Sequence, residues 1–229
     1  MEGSLGMSFV LEVFSTGGYT REAAARVVLD LPGEGGVVLT GGTTAERLYP
    51  EVAAAHAGWG SLDVFFSDER CVPPTDDRSN FGMINRLLLE HVKPASVHRM
   101  KGEEEPITGA RLYAEEVTSS GRPPFDFVLL GMGGDCHIAG MFPGATSLHV
   151  ASELCVAVER PDGLTGLTLA PPALVSAMKI LLVVEGEAKA EAVRRVVAGD
   201  EPPDECPARL LADHDDVTFL LDEAAASLL

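Results

Sequence analysis

Apolar and polar positions along the chain alternate between short apolar runs and longer stretches with helical spacing. Residues 37–39, 62–67, 125–130, 180–184 and 217–221 are short runs rich in Val, Leu, Ile and Phe, as expected of strands buried in a parallel sheet, and residues 165–169 also read as a strand. Between them, residues 20–31, 45–57, 81–91 and 108–119 carry apolar positions at helical spacing. Residues 171–177 read as a helix start, a helix opens at Gly186–Lys189 and runs to about residue 197, and residues 224–229 read as a terminal helix. Pro32-Gly33 and the breaker segment 121–124 stop the chain before strands. A loop rich in turn formers, with Pro73-Pro74, Asp76-Asp77 and Ser79-Asn80, is a candidate lid, and a second loop spans residues 202–207. This alternation predicts an α/β fold: a doubly wound, mainly parallel, Rossmann-like sheet with helices on both faces.

No internal repeat or low-complexity linker divides the chain, so a single domain over residues 1–229 is expected. Met7 is a candidate alternative start, which would make residues 1–6 a disordered extension. With 46% hydrophobic and 23% charged residues the composition is that of an ordinary globular protein. No apolar run reaches the roughly 20 residues of a membrane span, and the first residues lack the basic start and apolar core of a secretory signal, so a cytoplasmic location is expected. Cys71, Cys136, Cys155 and Cys206 are too scattered for a C-x-x-C pair or a zinc site and read as free thiols, with no metal implied.

Charge changes the picture more. Thirty-five acidic against 17 basic residues give a formal net charge of −18, which repels nucleic acid and anionic membranes. An anionic small molecule must then be held locally, by a few Lys or Arg side chains and by backbone N–H groups. The candidates stand where predicted strands end, on the edge of an open parallel sheet where ligands bind. Thr40-Gly41-Gly42-Thr43-Thr44 is a strand, glycine turn and helix start in sequence, a natural anion cradle with threonine hydroxyls beside it. Asp68-Glu69-Arg70 follows the next apolar run, and Arg70 is a candidate local cation. The run ending at Leu130 passes through Gly131, Gly133 and Gly134 to Asp135 and His137, a carboxylate and an imidazole two residues apart. Lys189 opposes the dipole of the helix it opens unless an anion lies near. A lone histidine after a glycine turn is more often structural, so the weight rests on the coincidence of these four segments.

In order and spacing these segments resemble the 6-phosphogluconolactonase family, within the larger group of sugar-phosphate isomerase-like and glucosamine-6-phosphate deaminase-like proteins. The likeness is carried by Gly41 to Thr44, by Asp68 to Pro73 with Asp77, Ser79 and Asn80, and by Leu130 to His137 through Phe142-Pro143-Gly144. Leu167-Thr168-Leu169 with Pro172-Ala173-Leu174, and Gly186-Glu187-Ala188-Lys189, complete it over nearly the whole chain. The resemblance implies hydrolysis of 6-phospho-glucono-1,5-lactone to 6-phosphogluconate in the oxidative pentose phosphate pathway, by a monomer or homodimer, with a small phosphorylated sugar lactone as partner and no cofactor. It implies His137 as general base toward water, Asp135 orienting the ring or a sugar hydroxyl, and Asp68 on the sugar with a secondary proton-transfer role. Gly41, Gly42, Thr43, Thr44, Arg70 and Lys189 would hold the phosphate or sugar hydroxyls. A positioned base of this kind typically contributes on the order of 10²- to 10⁴-fold in rate, and an ordinary imidazole, with a pKa of roughly 6.5, is mostly unprotonated at neutral pH.

Two positions depart from the family pattern. Cys136 stands where glycine is usual, which puts the local backbone angle or the room beside a substrate in question. Gly166 stands where many members carry a phosphate-binding arginine, with Arg160, Arg194 and Arg195 as candidate replacements. The deaminase branch, which typically has a carboxylate five residues after the histidine, is the nearest rival; here that position is Phe142. A non-catalytic sugar-phosphate-binding protein is the third reading, disfavoured because binding alone needs no base beside Asp135.

Overall fold

The apolar runs fold as strands and the intervening stretches as helices in a computed structural model that describes residues 9–55 and 58–229. The expected extension at residues 1–6 lies outside the described residues. In chain order the elements are β1 (Val10–Phe14), α1 (Tyr19–Asp30), β2 (Gly35–Leu39), α2 (Thr43–Ala54), β3 (Leu62–Phe66) and β4 (Asp68–Arg70). Next come α3 (Asn80–Ile84), a π-helical turn (Asn85–Leu89) continuing into α4 (Glu90–Val92), β5 (Ser96–Val97), α5 (Pro106–Ser119) and β6 (Phe127–Gly131). The chain ends with β7 (Cys155–Glu159), β8 (Thr165–Leu169), α6 (Pro171–Leu174), β9 (Ile180–Val184), α7 (Ala190–Ala198) and β10 (Val217–Asp222).

Seven strands form one sheet in the order β1-β10-β9-β6-β2-β3-β5, every neighbouring pair parallel. From β2 the chain moves outward to β3 and β5, then returns to lay β6 on the other side of β2 and moves outward again to β9 and β10. The direction of winding therefore reverses between β2 and β6, and a crevice opens beyond their carboxyl ends. A separate three-stranded antiparallel sheet, β4-β8-β7, stands beside it.

Side chains alternate across each strand of the large sheet. Val37, Leu39, Val64, Phe66, Phe127 and Leu129 face α1, α2 and the π-helical turn, packing with Tyr19, Val27, Leu48 and Leu88. Val38, Phe65, Val128, Leu130 and Leu182 face the opposite way, onto Tyr113 and Val117 of α5, Val193 and Val196 of α7, and Leu167 and Leu169 of β8. Helices thus cover both faces, as the doubly wound pattern requires. Among the described residues no helix is long and apolar enough to cross a membrane.

Four features differ from the sequence expectation. Residues 224–229 form turns and not a helix, because Asp222 accepts the Ala225 N–H and draws the chain back onto the end of β10. β1 escapes the apolar-run criterion because it is an edge strand, with Val10 and Val13 half exposed. Helix α2 spans Thr43–Ala54 and so begins two residues before the expected 45, while residues 56 and 57 of the expected helix lie outside the described residues; Gly42, at φ 95°, makes the turn and is the N-cap, with no side chain capping. The charged triplet at 68–70, to which the apolar pattern assigned no element, is a strand paired antiparallel with β8.

That last difference orders the region around the crevice. Period-two alternation turns Asp68 and Arg70 one way and Glu69 the other. The Glu69 carboxylate, 3% exposed, accepts the N–H groups of Arg70 (2.8 Å), Asn80 (2.7 Å) and Phe81 (2.8 Å) and the Ser79 hydroxyl (2.9 Å). Burial pushes its carboxyl above the usual range, and the four bonds oppose that shift. The end of the expected lid, residues 79–81, is thereby clamped to β4. Glu69→Gln sets an amide NH₂ against donors that need an acceptor. A urea titration is expected to show a loss of about 2 to 4 kcal/mol, the cost of leaving two buried donors unpaired; unchanged stability would remove Glu69 as the clamp.

Candidate active site

The crevice at the β2/β6 reversal has a volume of about 220 Å³. Its walls include Gly41, Gly42, Thr43, Thr44, Asp68, Arg70, His137 and Lys189, so eight of the nine residues singled out in the sequence line it. The ninth, Asp135, stands behind the imidazole. Asn80, Arg160, Thr40, Met132, Gly133 and Ala139 join them. Of the three candidate replacement arginines only Arg160 lines the crevice: Arg194 pairs with Glu191 and Arg195 with Glu201, on and beyond α7.

The β2 turn brings backbone to the crevice at close range. A Cβ on Gly41 would fall 1.9 Å from Asn80 Oδ1, so only a bare α-carbon fits against that amide. The first-turn N–H groups of α2 lack intrahelical partners, and the Thr43 and Thr44 hydroxyls are not consumed as caps. The positive end of a 12-residue helix and two hydroxyls therefore border one wall.

Asn80, delivered by the Glu69 clamp, ties the charged residues of β4 together. Its Nδ2 donates to the Asp68 carbonyl (2.9 Å) and to Asp68 Oδ2 (3.1 Å), and its Oδ1 accepts from Arg70 Nη1 (2.6 Å). Ser67 Oγ donates to Asp68 Oδ1 (2.8 Å), and Arg160 Nη1 lies 3.8 Å from Oδ2. Arg70 Nη1 also donates to the Arg78 carbonyl (2.8 Å). The Asp68 carboxylate is thus held on both oxygens. The role of Asn80 is not legible in the sequence, because it depends on a contact between β4 and a helix start ten residues on.

Asp135 and His137 make a short polar contact, with Nδ1 of the imidazole 2.6 Å from Asp135 Oδ1. The same oxygen accepts the His137 backbone N–H at 3.2 Å. This imidazole contact, more than any other, lowers the Asp135 carboxyl to about 2. An ionised carboxylate only accepts, so Nδ1 carries the proton and the neutral ring has its lone pair on Nε2. Nε2 has no hydrogen-bond partner among the described residues. The ring packs against Phe142, centroids 4.7 Å apart. A Cβ on Gly133 would meet Nδ1 at 2.0 Å and Asp135 Oδ1 at 2.3 Å, so that glycine lets the pair fold back over the turn.

Cys136 answers the first departure. Its φ is 67°, the left-handed conformation that glycine would adopt freely and that costs another residue about 1 to 2 kcal/mol. The thiol points away from the crevice, fully buried, with Sγ 3.8 Å from the Ala192 carbonyl of α7. Room beside a substrate is unaffected.

Lys189 closes the far side. It ends a 3₁₀ turn (Glu187–Lys189) and is the N-cap of α7, with no acidic partner among the described residues. The turn is pinned by Asp222, fully buried at the end of β10, whose Oδ1 accepts the Gly186 N–H at 2.9 Å. Nothing local in the sequence marks Asp222 for this role.

The chain resembles known proteins over most of its length. A family model described as glucosamine-6-phosphate isomerases/6-phosphogluconolactonase matches residues 17–220. The chain is 36% identical to a 6-phosphogluconolactonase of Treponema pallidum, over 71% of this chain and 72% of that protein. It is 30% identical to one from Haemophilus influenzae, over 84% and 87%. The solved structure of a Shewanella baltica 6-phosphogluconolactonase superposes with a TM-score of 0.85 at 25% identity, covering 94% of this chain and 97% of that one.

The proton assignment is open to direct measurement. Imidazole ¹⁵N spectra above neutral pH are expected to show His137 with Nδ1 protonated and Nε2 bare. Asp135→Asn is expected to mix the tautomers. A dominant Nε2–H form in the unaltered protein would overturn the assignment.

Proposed function

This chain belongs to the glucosamine-6-phosphate isomerase/6-phosphogluconolactonase family, and we propose that it hydrolyses 6-phospho-glucono-1,5-lactone to 6-phosphogluconate with His137 as the general base. The observation that carries the reading is the Asp135–His137 pair, 2.6 Å apart, beside a crevice that Lys189, Arg70 and the start of α2 also line. Asp135 keeps the proton on Nδ1, which leaves Nε2 to take a proton from water as the water oxygen bonds to the lactone carbonyl carbon. The tetrahedral intermediate then collapses. The bond from C1 to the ring oxygen breaks, and the imidazolium returns its proton to that oxygen, giving the open-chain acid, which ionises. A lactone is an activated ester, so this chemistry needs a base and an anchored substrate more than a covalent intermediate. Anchoring falls to Gly41, Gly42, Thr43 and Thr44 at the helix start and to Arg70 and Lys189, with Asp68 positioned toward the sugar hydroxyls. Phe142 against the imidazole supports hydrolysis over deamination, because the carboxylate typical of the deaminase branch has no counterpart at that position.

His137→Ala is expected to lower kcat/KM for the phosphorylated lactone at least tenfold with an unchanged circular dichroism spectrum, rates being corrected for spontaneous opening in buffer. Equal turnover would take His137 out of the reaction. A parallel assay for ammonia release from glucosamine 6-phosphate is expected to read zero, and a positive rate would favour the other branch of the family. Lys189→Ala is expected to raise KM for the phosphorylated lactone by tenfold or more and to leave the unphosphorylated lactone little changed. Equal effects on both would argue against a phosphate contact.

A further inference from the structure

Gly166 leaves β8 without a side chain where a cation is expected, yet the space above it is filled. Arg160 follows β7 at the start of the turn to β8, and a Cβ built on Gly166 would lie 3.0 Å from the Glu69 carbonyl oxygen and 3.1 and 3.5 Å from Arg160 Cδ and Cγ. The methylenes of Arg160 therefore run along the path that a longer side chain at 166 would take. This crossing is possible because the two strands are antiparallel neighbours, with Val158 opposite Gly166 and Glu159 opposite Thr165. Although it begins in an exposed turn, the Arg160 side chain is only 10% exposed.

Its guanidinium is oriented from two sides. Nε and Nη2 each lie 3.2 Å from Asp162 Oδ2, while Cζ sits 5.4 Å from the centre of the Phe142 ring that packs on His137. Among the described residues Nη1 makes no hydrogen bond, and Asp68 Oδ2 lies 3.8 Å from it. A guanidinium carries five donors, so a forked face remains free in a crevice that holds Arg70 and Lys189 as its other cations. A mostly buried cation with unspent donors is suited to an ionised group that arrives with the ligand.

We propose that Arg160 reads the phosphoryl group of the substrate, and that Gly166 is the vacancy that lets it do so from the neighbouring strand. The proposal rests on the lactonase reading for the identity of the substrate but not for the contact itself. Arg160→Met keeps an aliphatic stem beside Gly166 and removes the guanidinium that lies over Phe142. It is expected to raise KM for the phosphorylated lactone tenfold or more, with KM for the unphosphorylated lactone and kcat for both changed less than threefold. Arg160→Ala combined with Gly166→Arg, which returns a guanidinium from β8, is expected to recover at least a third of the lost kcat/KM. An unchanged KM, or an equal loss on both lactones, would overturn the proposal; so would a fall in kcat alone, which would place Arg160 with the reacting carbonyl. Calorimetry with inorganic phosphate separates this from the activity itself. If the unaltered protein turns over neither lactone, the lactonase reading fails, yet weaker phosphate binding in Arg160→Met would still uphold the contact. Equal phosphate affinity in the two proteins would reject it.

Discussion

The reversal of winding between β2 and β6 is the constraint on which the site depends. Adjacent parallel strands whose chains depart in opposite directions cannot both have their carboxyl ends covered by one helix, so a gap remains. Here the gap is narrow: a Cβ placed on Gly131 would stand 3.9 Å from the Gly41 carbonyl. The turn after β2 and the turn after β6 become opposite walls of one crevice. Residues about 95 positions apart, Gly41 and His137, meet there with no direct contact in the local sequence between them.

Around this gap the acidic residues do structural work, and that resolves an apparent conflict. A chain of net charge −18 should resist anions, yet its crevice is lined by Arg70, Arg160 and Lys189. The nearby carboxylates are turned toward protein donors. Glu69 gathers residues 79–81, Asp222 holds the Gly186 turn, Asp135 binds the imidazole, and Asp68 is held by Ser67 and Asn80. Each anchors a loop that presents a donor to the crevice. Local orientation outweighs net charge here because Coulomb interactions between exposed charges are screened beyond roughly 8 to 10 Å in physiological salt.

The two departures from the family pattern are accommodated differently. Cys136 bears a backbone cost and sends its side chain into the packing between the β6 turn and α7, so the crevice does not register it. Gly166 opens space that Arg160 fills from the adjacent strand. The first is a local matter of one dihedral angle. The second is a cross-strand matter of register.

The sequence by itself determined the layered α/β class, the central strands and eight of the residues that line the crevice. Those features rest on short-range rules: apolar runs make strands, glycines after strands make turns, and an Asp two residues from a His can reach its ring. Only the tertiary structure decided which of Arg160, Arg194 and Arg195 enters the crevice, that Glu69 faces inward as a clamp, that Asp222 supports the Lys189 turn, and that β1 and the small antiparallel sheet exist at all. These depend on strand pairing and register between segments far apart in the chain, and a shift of one residue would turn each of those side chains to the opposite face.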